Sequence, residues 1–182
     1  MLWKLKNIIP LLVKKRIYFA LFQSHLNYMS HVFGSACDTV IKPLQLIQNR
    51  ALRNIFGLDR MENRIYMYTH LVENCLPIRA LNFINTATYI YNNIHKCIHT
   101  NIIIERSAPT NRSSRNKREL QPLIAKTSYG KKNVASFGVK IFNSIPNDIR
   151  SLKTISSFKW ALKCHIRNEA FMSRCFNSNY FK

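Results

Sequence analysis

Apolar positions along this chain recur with the spacing of helices rather than the alternation of strands. Between Leu11 and about Val32, Ile17, Leu21 and His25 fall on one line, with Tyr18, Phe22, Leu26 and Met29 on the line beside it. Gly34-Ser35 breaks that run. Asp38 or Thr39 is placed to cap a second helix, whose apolar stripe is Ile41, Leu44, Ile47, Ala51, Leu52 and Ile55, and Gly57 stands where a helix is expected to end. Lys42, Arg50 and Arg53 flank that stripe on its wet side. A shorter helix is expected from about Arg64 to Val72, and a turn over Glu73 to Pro77. Ile78, Leu81, Ile84, Thr88, Tyr91, Ile94 and Ile98 then mark a long helix that ends near Thr100.

From Arg106 to Lys132 the pattern lapses into Ser, Asn, Lys and Arg. Such a stretch reads as a loop or linker that is ordered in part on binding, and equally as a plain flexible tether. Periodicity resumes near Asn133 with Phe137, Ile141, Phe142 and Ile145, and Pro146 stops that helix. Ser156 or Ser157 can cap a last helix carrying Phe158, Ala161, Leu162, His165, Ile166 and Ala170, after which Phe171 to Lys182 is expected to fray. Only 4 Gly and 6 Pro leave few tight turns, which again favours helices over a many-stranded sheet. The expected fold is all-α, with a helical bundle over 1–105, a basic linker over 106–132 and a small helical module over 133–182.

Charge changes the picture most. Lys and Arg total 28 against 8 Asp and Glu, a formal net charge of +20. Internal ion pairs cannot neutralise that surplus, so the surface carries a strongly positive potential. Phosphate backbones are the usual partners of such a surface and anionic membranes the second, although a solvated cationic face needs no partner at all. A membrane role would need Met1 to Phe22 to lie as a basic amphipathic helix, but Tyr18-Phe19 and Leu21-Phe22 already serve the bundle, and no membrane partner is expected. The apolar run from Ile8 to Val13 is too short to span a bilayer. The 5 cysteines are odd in number and widely spaced, which points to a reducing compartment, nucleus or cytoplasm.

The chemistry of a catalyst is missing. Asp38, Asp59 and Asp148 stand apart, as do the five Glu residues, so no pair of carboxylates is set to converge on two metal ions. Cys97-Ile98-His99 and Cys164-His165 lack the gap of zinc-finger ligands. No motif activates any Cys as a nucleophile, and Gly34, Gly57, Gly130 and Gly138 make no phosphate loop. No enzyme activity, metal or cofactor is expected.

What remains are basic residues interleaved with aromatics. Lys14-Lys15-Arg16 precede Tyr18 and Phe19, and Tyr129-Gly130-Lys131-Lys132 precede Phe137 and Lys140. Lysine and arginine suit phosphate and an exposed ring suits base stacking. Aromatics at helical spacing are more often core, and Phe22, Phe83 and Phe158 are expected inside.

In order along the chain, these blocks resemble a known family. The stretch Ile17-Tyr18-Phe19-Ala20-Leu21-Phe22-Gln23-Ser24-His25-Leu26-Asn27-Tyr28, followed by Val32-Phe33-Gly34-Ser35, resembles the segment after the palm domain in jockey-like non-LTR retrotransposon reverse transcriptases. Leu46-Ile47-Gln48-Asn49-Arg50-Ala51-Leu52-Arg53-Asn54-Ile55-Phe56-Gly57 is similar to the helix that follows there. Asn111-Arg112-Ser113-Ser114-Arg115 stands at a basic loop of that family, and Tyr129-Gly130-Lys131-Lys132-Asn133-Val134 through Phe142-Asn143-Ser144-Ile145-Pro146 at its tail block. Ser156-Ser157-Phe158-Lys159 matches the ending. Phe33 and Phe142 replace a common Trp, and the palm's aromatic-Ala-Asp-Asp motif, the fingers and the endonuclease are absent from this sequence. The resemblance implies a non-catalytic, thumb-like tail of an RNA-directed DNA polymerase that supports template and primer. Its partners would be RNA, DNA or their hybrid, together with the palm and fingers of an intact polymerase. The expected contacts are Lys14, Lys15, Arg16, Arg50, Arg53, Arg112, Arg115, Tyr129, Lys131 and Lys132. The alternative is a non-enzymatic protein-interaction module whose charge is incidental.

Overall fold

The computed structural model describes residues 8–28, 30–33, 35–71, 75–96, 120, 122, 124–168, 171, 172 and 175. Among them every extended element is a helix or helical turn, joined by short non-helical loops, and no strand is formed. In order come α1 (Leu11–Ile17), a π-helical turn (Tyr18–Gln23), α2 (Ser24–Asn27), α3 (Ser30–Phe33), α4 (Asp38–Phe56), α5 (Arg64–Tyr66) with its π-helical continuation (Met67–Leu71), and α6 (Ile78–Lys96). After the basic stretch follow α7 (Ser128–Lys131), a third π-helical turn (Val134–Gly138), α8 (Val139–Asn143), α9 (Asn147–Arg150) and α10 (Ile155–Ile166).

Helix α6 is the centre. Ile78, Ala80, Phe83, Ile84, Ala87, Ile90 and Tyr91 are all buried, and so are Asn82 and Thr86, so it is covered on nearly every side rather than on the single stripe that its periodicity suggests. The Thr86 hydroxyl donates to Asn82 Oδ1 at 2.9 Å, which satisfies those two groups, while Asn82 Nδ2 is enclosed without a partner among the described residues. Helices α2, α3 and α4 pack on α6 from the N-terminal side, and α8, α10 and the Val134–Gly138 turn from the C-terminal side. Gly138 permits that last approach: a Cβ there would meet Thr86 Cγ2 at 3.1 Å and Ile90 Cδ1 at 3.2 Å. The ring of Phe158 stacks on Tyr91 at 4.3 Å, and the Tyr91 hydroxyl donates to the Leu152 carbonyl. Residues from both sides of the basic stretch therefore share one contiguous apolar core.

Several expectations are corrected. In the first helical run the inner line is Tyr18 and Leu26, whereas Leu21 and His25 are exposed, and Tyr28, with ψ of 122°, interrupts the run before α3. Residues 97–100 lie outside the description of α6. Helix α4 starts one residue after Cys37, so Asp38 is its first helical residue and not its cap. Thr154, not Ser156 or Ser157, caps α10, by accepting from Ser157 N at 3.3 Å. His165 faces solvent. The expected fraying from Phe171 fails at its start: Phe171 packs edge-on against Phe83 at 5.0 Å, and Met172 and Cys175 are buried. The end of the 106–132 linker is not loop either, since Thr127 accepts from Gly130 N at 3.1 Å and caps the turn α7. Gly57 ends α4 with φ of 69°, as the sequence predicts.

On α4 the outcome inverts hydropathy. Ile47 is half exposed while Gln48 and Asn49, at 0% and 2% exposure, are inside. The Gln48 amide and the Asn49 amide oxygen are held by partners, most of them brought from other segments, while Asn49 Nδ2 is enclosed without one among the described residues. Gln48 Nε2 donates to Tyr18 Oη at 3.1 Å and to the Leu76 carbonyl at 2.9 Å, and Tyr18 Oη passes its own proton to Gln23 Oε1 at 3.0 Å. Gln45 Nε2 meets Gln48 Oε1, Asn49 Oδ1 and Tyr68 Oη, while its Oε1 accepts from Ile78 N at 2.9 Å and so caps α6 from a distance. Tyr68 Oη donates to Asn49 Oδ1 at 2.9 Å. Gln48→Leu keeps the volume but strands the Leu76 carbonyl and takes from Tyr18 Oη the donor it accepts from. It should lower unfolding free energy by about 2–3 kcal/mol, the cost of buried groups left unsatisfied. A urea midpoint equal to that of the wild type would show that the network contributes nothing.

Candidate nucleic-acid interface

The block around Tyr129 forms because two short side chains bracket it. Thr127 caps α7, and Asn133 caps the next turn by accepting from Ala135 N at 3.4 Å. Gly130 is required between them: a Cβ there would lie 2.8 Å from Ala125 Cβ. The result is a fixed knuckle from which Tyr129 projects, 88% exposed, with Lys131 and Lys132 exposed beside it. The knuckle packs on the Val134–Gly138 turn; upstream of it, Asn143 Nδ2 donates to the Leu120 carbonyl at 2.8 Å and Oδ1 accepts from Leu120 N at 3.1 Å.

At the N-terminal end of α4 the Lys132 charge adds a small contribution to the depression of the Cys37 thiol. That thiol is lowered first by the Thr39 hydroxyl at 2.9 Å and next by the Val40 N–H. Burial acts the other way on Cys75, pushed up to about 11, and on Cys175, pushed up to about 12. At pH 8 iodoacetamide should therefore modify Cys37 well before Cys75 or Cys175, as peptide mass spectrometry would read. Equal rates at Cys37 and Cys75 would contradict the placement.

Lys14, Lys15 and Arg16 close α1 at the other end of α4. Lys15 Nζ sits over the Phe56 ring, 5.0 Å from its centre; Arg16 is exposed; Lys14 is half-buried. Arg50 remains on the surface of α4. Arg53 does not: half-buried, it donates from Nη2 to the Glu62 carbonyl at 3.0 Å, and its Nε is enclosed without a partner, so it anchors the loop after Gly57. That corrects its expected place on the wet side. Arg112 and Arg115 lie outside the described residues. Because α4 has 19 residues, its two ends are about 28 Å apart at 1.5 Å per residue. The chosen residues thus form two separate basic patches, one around Lys131 and Lys132 and one around Lys15 and Arg16.

Two groups escaped sequence reasoning. Trp160 is 71% exposed on α10, with Lys159, Lys163 and Arg167 exposed around it. Its place two residues after Phe158, on the opposite helix face, was the available signal. The second group surrounds a cleft of about 190 Å³ lined by Lys42, Gln45, Asn49, Arg64, Arg79 and Asp38. Arg64 and Arg79 are too distant in sequence from α4 for spacing to connect them. Arg79 pairs with Asp38 there.

Among the described residues no group of three or more His, Cys, Asp or Glu is placed to hold a metal ion, and no helix is long and apolar enough to cross a membrane. Compared with protein-family models, curated proteins and solved structures, the chain matches none.

Proposed function

We propose that this chain is a non-catalytic, nucleic-acid-binding tail of the kind that follows the palm in jockey-like reverse transcriptases, gripping the backbone of RNA, DNA or their hybrid without reading sequence. The observation that carries the reading is the knuckle, in which an almost fully exposed tyrosine is held beside two exposed lysines on a turn that only glycine permits. A large exposed ring is costly in water and useful against a base, and the flanking ammonium groups suit phosphate. The net charge of +20 and the second exposed aromatic, Trp160 among Lys159, Lys163 and Arg167, support the same chemistry. In an intact polymerase such a surface would hold template and primer beside the active site.

Changing Lys131 and Lys132 together to Ala should weaken binding of unrelated oligonucleotides about equally and reduce the salt slope by up to roughly two. Fluorescence anisotropy measures both. Unchanged affinity in the double variant would remove the knuckle from the interface. A second reading, a protein-interaction module, draws on Leu11, Leu12 and Leu21, which α1 and the adjoining turn leave exposed. It predicts oligonucleotide binding that is weak or indifferent to salt.

A further inference from the structure

Helix α10 has two faces of opposite character. Phe158, Leu162 and Ile166 are buried, whereas Lys159, Trp160, Lys163 and Arg167 are exposed. Lys159, Lys163 and Arg167 follow one another at four-residue steps, so they form a line along the helix with about 6 Å of rise between neighbours. Trp160 stands beside that line, three residues before Lys163 and therefore on the same face. The backbone beneath them is fixed: Thr154 caps the start of α10, and Phe158 is stacked on Tyr91 behind it. An indole that is 71% exposed is unusual, because tryptophan carries a large apolar area and is mostly buried in folded chains.

The groups around the ring decide what covers it. A bilayer takes up a helix whose apolar face is free and carries several large side chains together. The apolar face of α10 instead packs on the core, and within one turn of Trp160 the other exposed residues are Ser156, Ser157, Lys159, Lys163 and Cys164. One ring among cations suits a nucleobase, whose plane covers the indole while its phosphates meet the ammonium and guanidinium groups. We propose that the outer face of α10 is a platform for single-stranded nucleic acid, on which an unpaired base stacks on Trp160 and the flanking phosphates run along Lys159, Lys163 and Arg167. The bases of a duplex are stacked on one another and turn only their edges to the grooves, so they leave the indole uncovered. Successive phosphates of one strand are spaced on the same scale as the three cations, so the line can follow a backbone. That assignment rests on the nucleic-acid reading and adds to it a preference for one strand over two.

Trp160 reports its own occupancy. The chain has 2 tryptophans, so full-length Trp3→Phe protein emits from Trp160 alone. A short single strand should quench that emission by stacking, whereas a duplex bound to the same extent should leave most of it. Trp160→Leu should weaken single-strand binding by about tenfold, the stacking of one base, and leave duplex affinity within about twofold. Trp160→Phe, which keeps a ring, should restore most of the loss. The difference between Trp160→Leu and wild type should persist at high salt, since stacking is not screened as phosphate contacts are. Emission that a bound single strand leaves unchanged would overturn the platform while the nucleic-acid reading stood, and so would equal losses for single strand and duplex in Trp160→Leu. Emission indifferent to both oligonucleotides but shifted to the blue by phosphatidylglycerol vesicles would replace the platform with a membrane surface. If neither single strand nor duplex binds at all, the platform and the nucleic-acid reading fall together.

Discussion

Phe158→Asp should unfold the whole chain, not only its C-terminal helices. Phe158 is fully buried and stacked on Tyr91 of α6, with Phe142 6.4 Å away on its other side. Removing the ring opens a cavity, which for Phe costs about 3–5 kcal/mol. The carboxylate then replaces an apolar ring in the core and must be buried protonated or draw in water, adding a further ~2 kcal/mol. The sum is of the order of the entire stability of a domain this size. Because α6 is also the surface on which α2, α3 and α4 pack, the loss should spread to them. Far-ultraviolet circular dichroism should show most of the helical signal gone at 25 °C. Trp160→Asp supplies the control: two residues along the same helix but 71% exposed, it should change stability by no more than about 0.5 kcal/mol. A Phe158→Asp protein that melts like wild type would mean that α10 does not pack on α6.

That contrast between positions 158 and 160 also marks what the sequence could disclose. The inner stripe of α10, the αL glycine after α4 and the all-helical character follow from local periodicity and local backbone chemistry, and they are legible without the fold. Burial of Gln48 and Asn49 is not, because it depends on Tyr18, Tyr68 and Leu76 arriving from elsewhere to satisfy them. The same holds for α6, where covering from both sides erases the stripe that helical spacing picks out. For the interface, the knuckle at Tyr129 was visible as a glycine between an aromatic and two lysines. Arg53 looked the same as Arg50 by spacing, and only the Glu62 carbonyl separates the anchor from the surface cation. The cleft had no linear signal at all, since its cations come from three segments.

The second large effect concerns binding itself. A surface of this charge that grips phosphates must release the counterions condensed on the nucleic acid, and the number released sets the salt dependence. With two basic patches and the Trp160 cluster available, contact with about five phosphates predicts a log–log slope near −4 for duplex, and a shallower one for single strands. Affinity should then fall by about four orders of magnitude between 50 mM and 500 mM salt. Unrelated sequences of equal length should lie on one line, because phosphate contacts position a protein without reading bases. Exposed Tyr129 and Trp160 add a stacking contribution that salt leaves alone, so the single-strand affinity should retain a residue at high salt that a Tyr129→Ala, Trp160→Ala double variant loses.

The measurement that bears most directly on the central claim is the dissociation constant of the wild-type chain for a fixed-length duplex, taken across that salt range by fluorescence anisotropy. Tight binding at 50 mM with a slope near −4, the same for two unrelated sequences, is the predicted result. Weak binding at 50 mM, or an affinity indifferent to salt, would contradict the claim that this surface exists to hold phosphate.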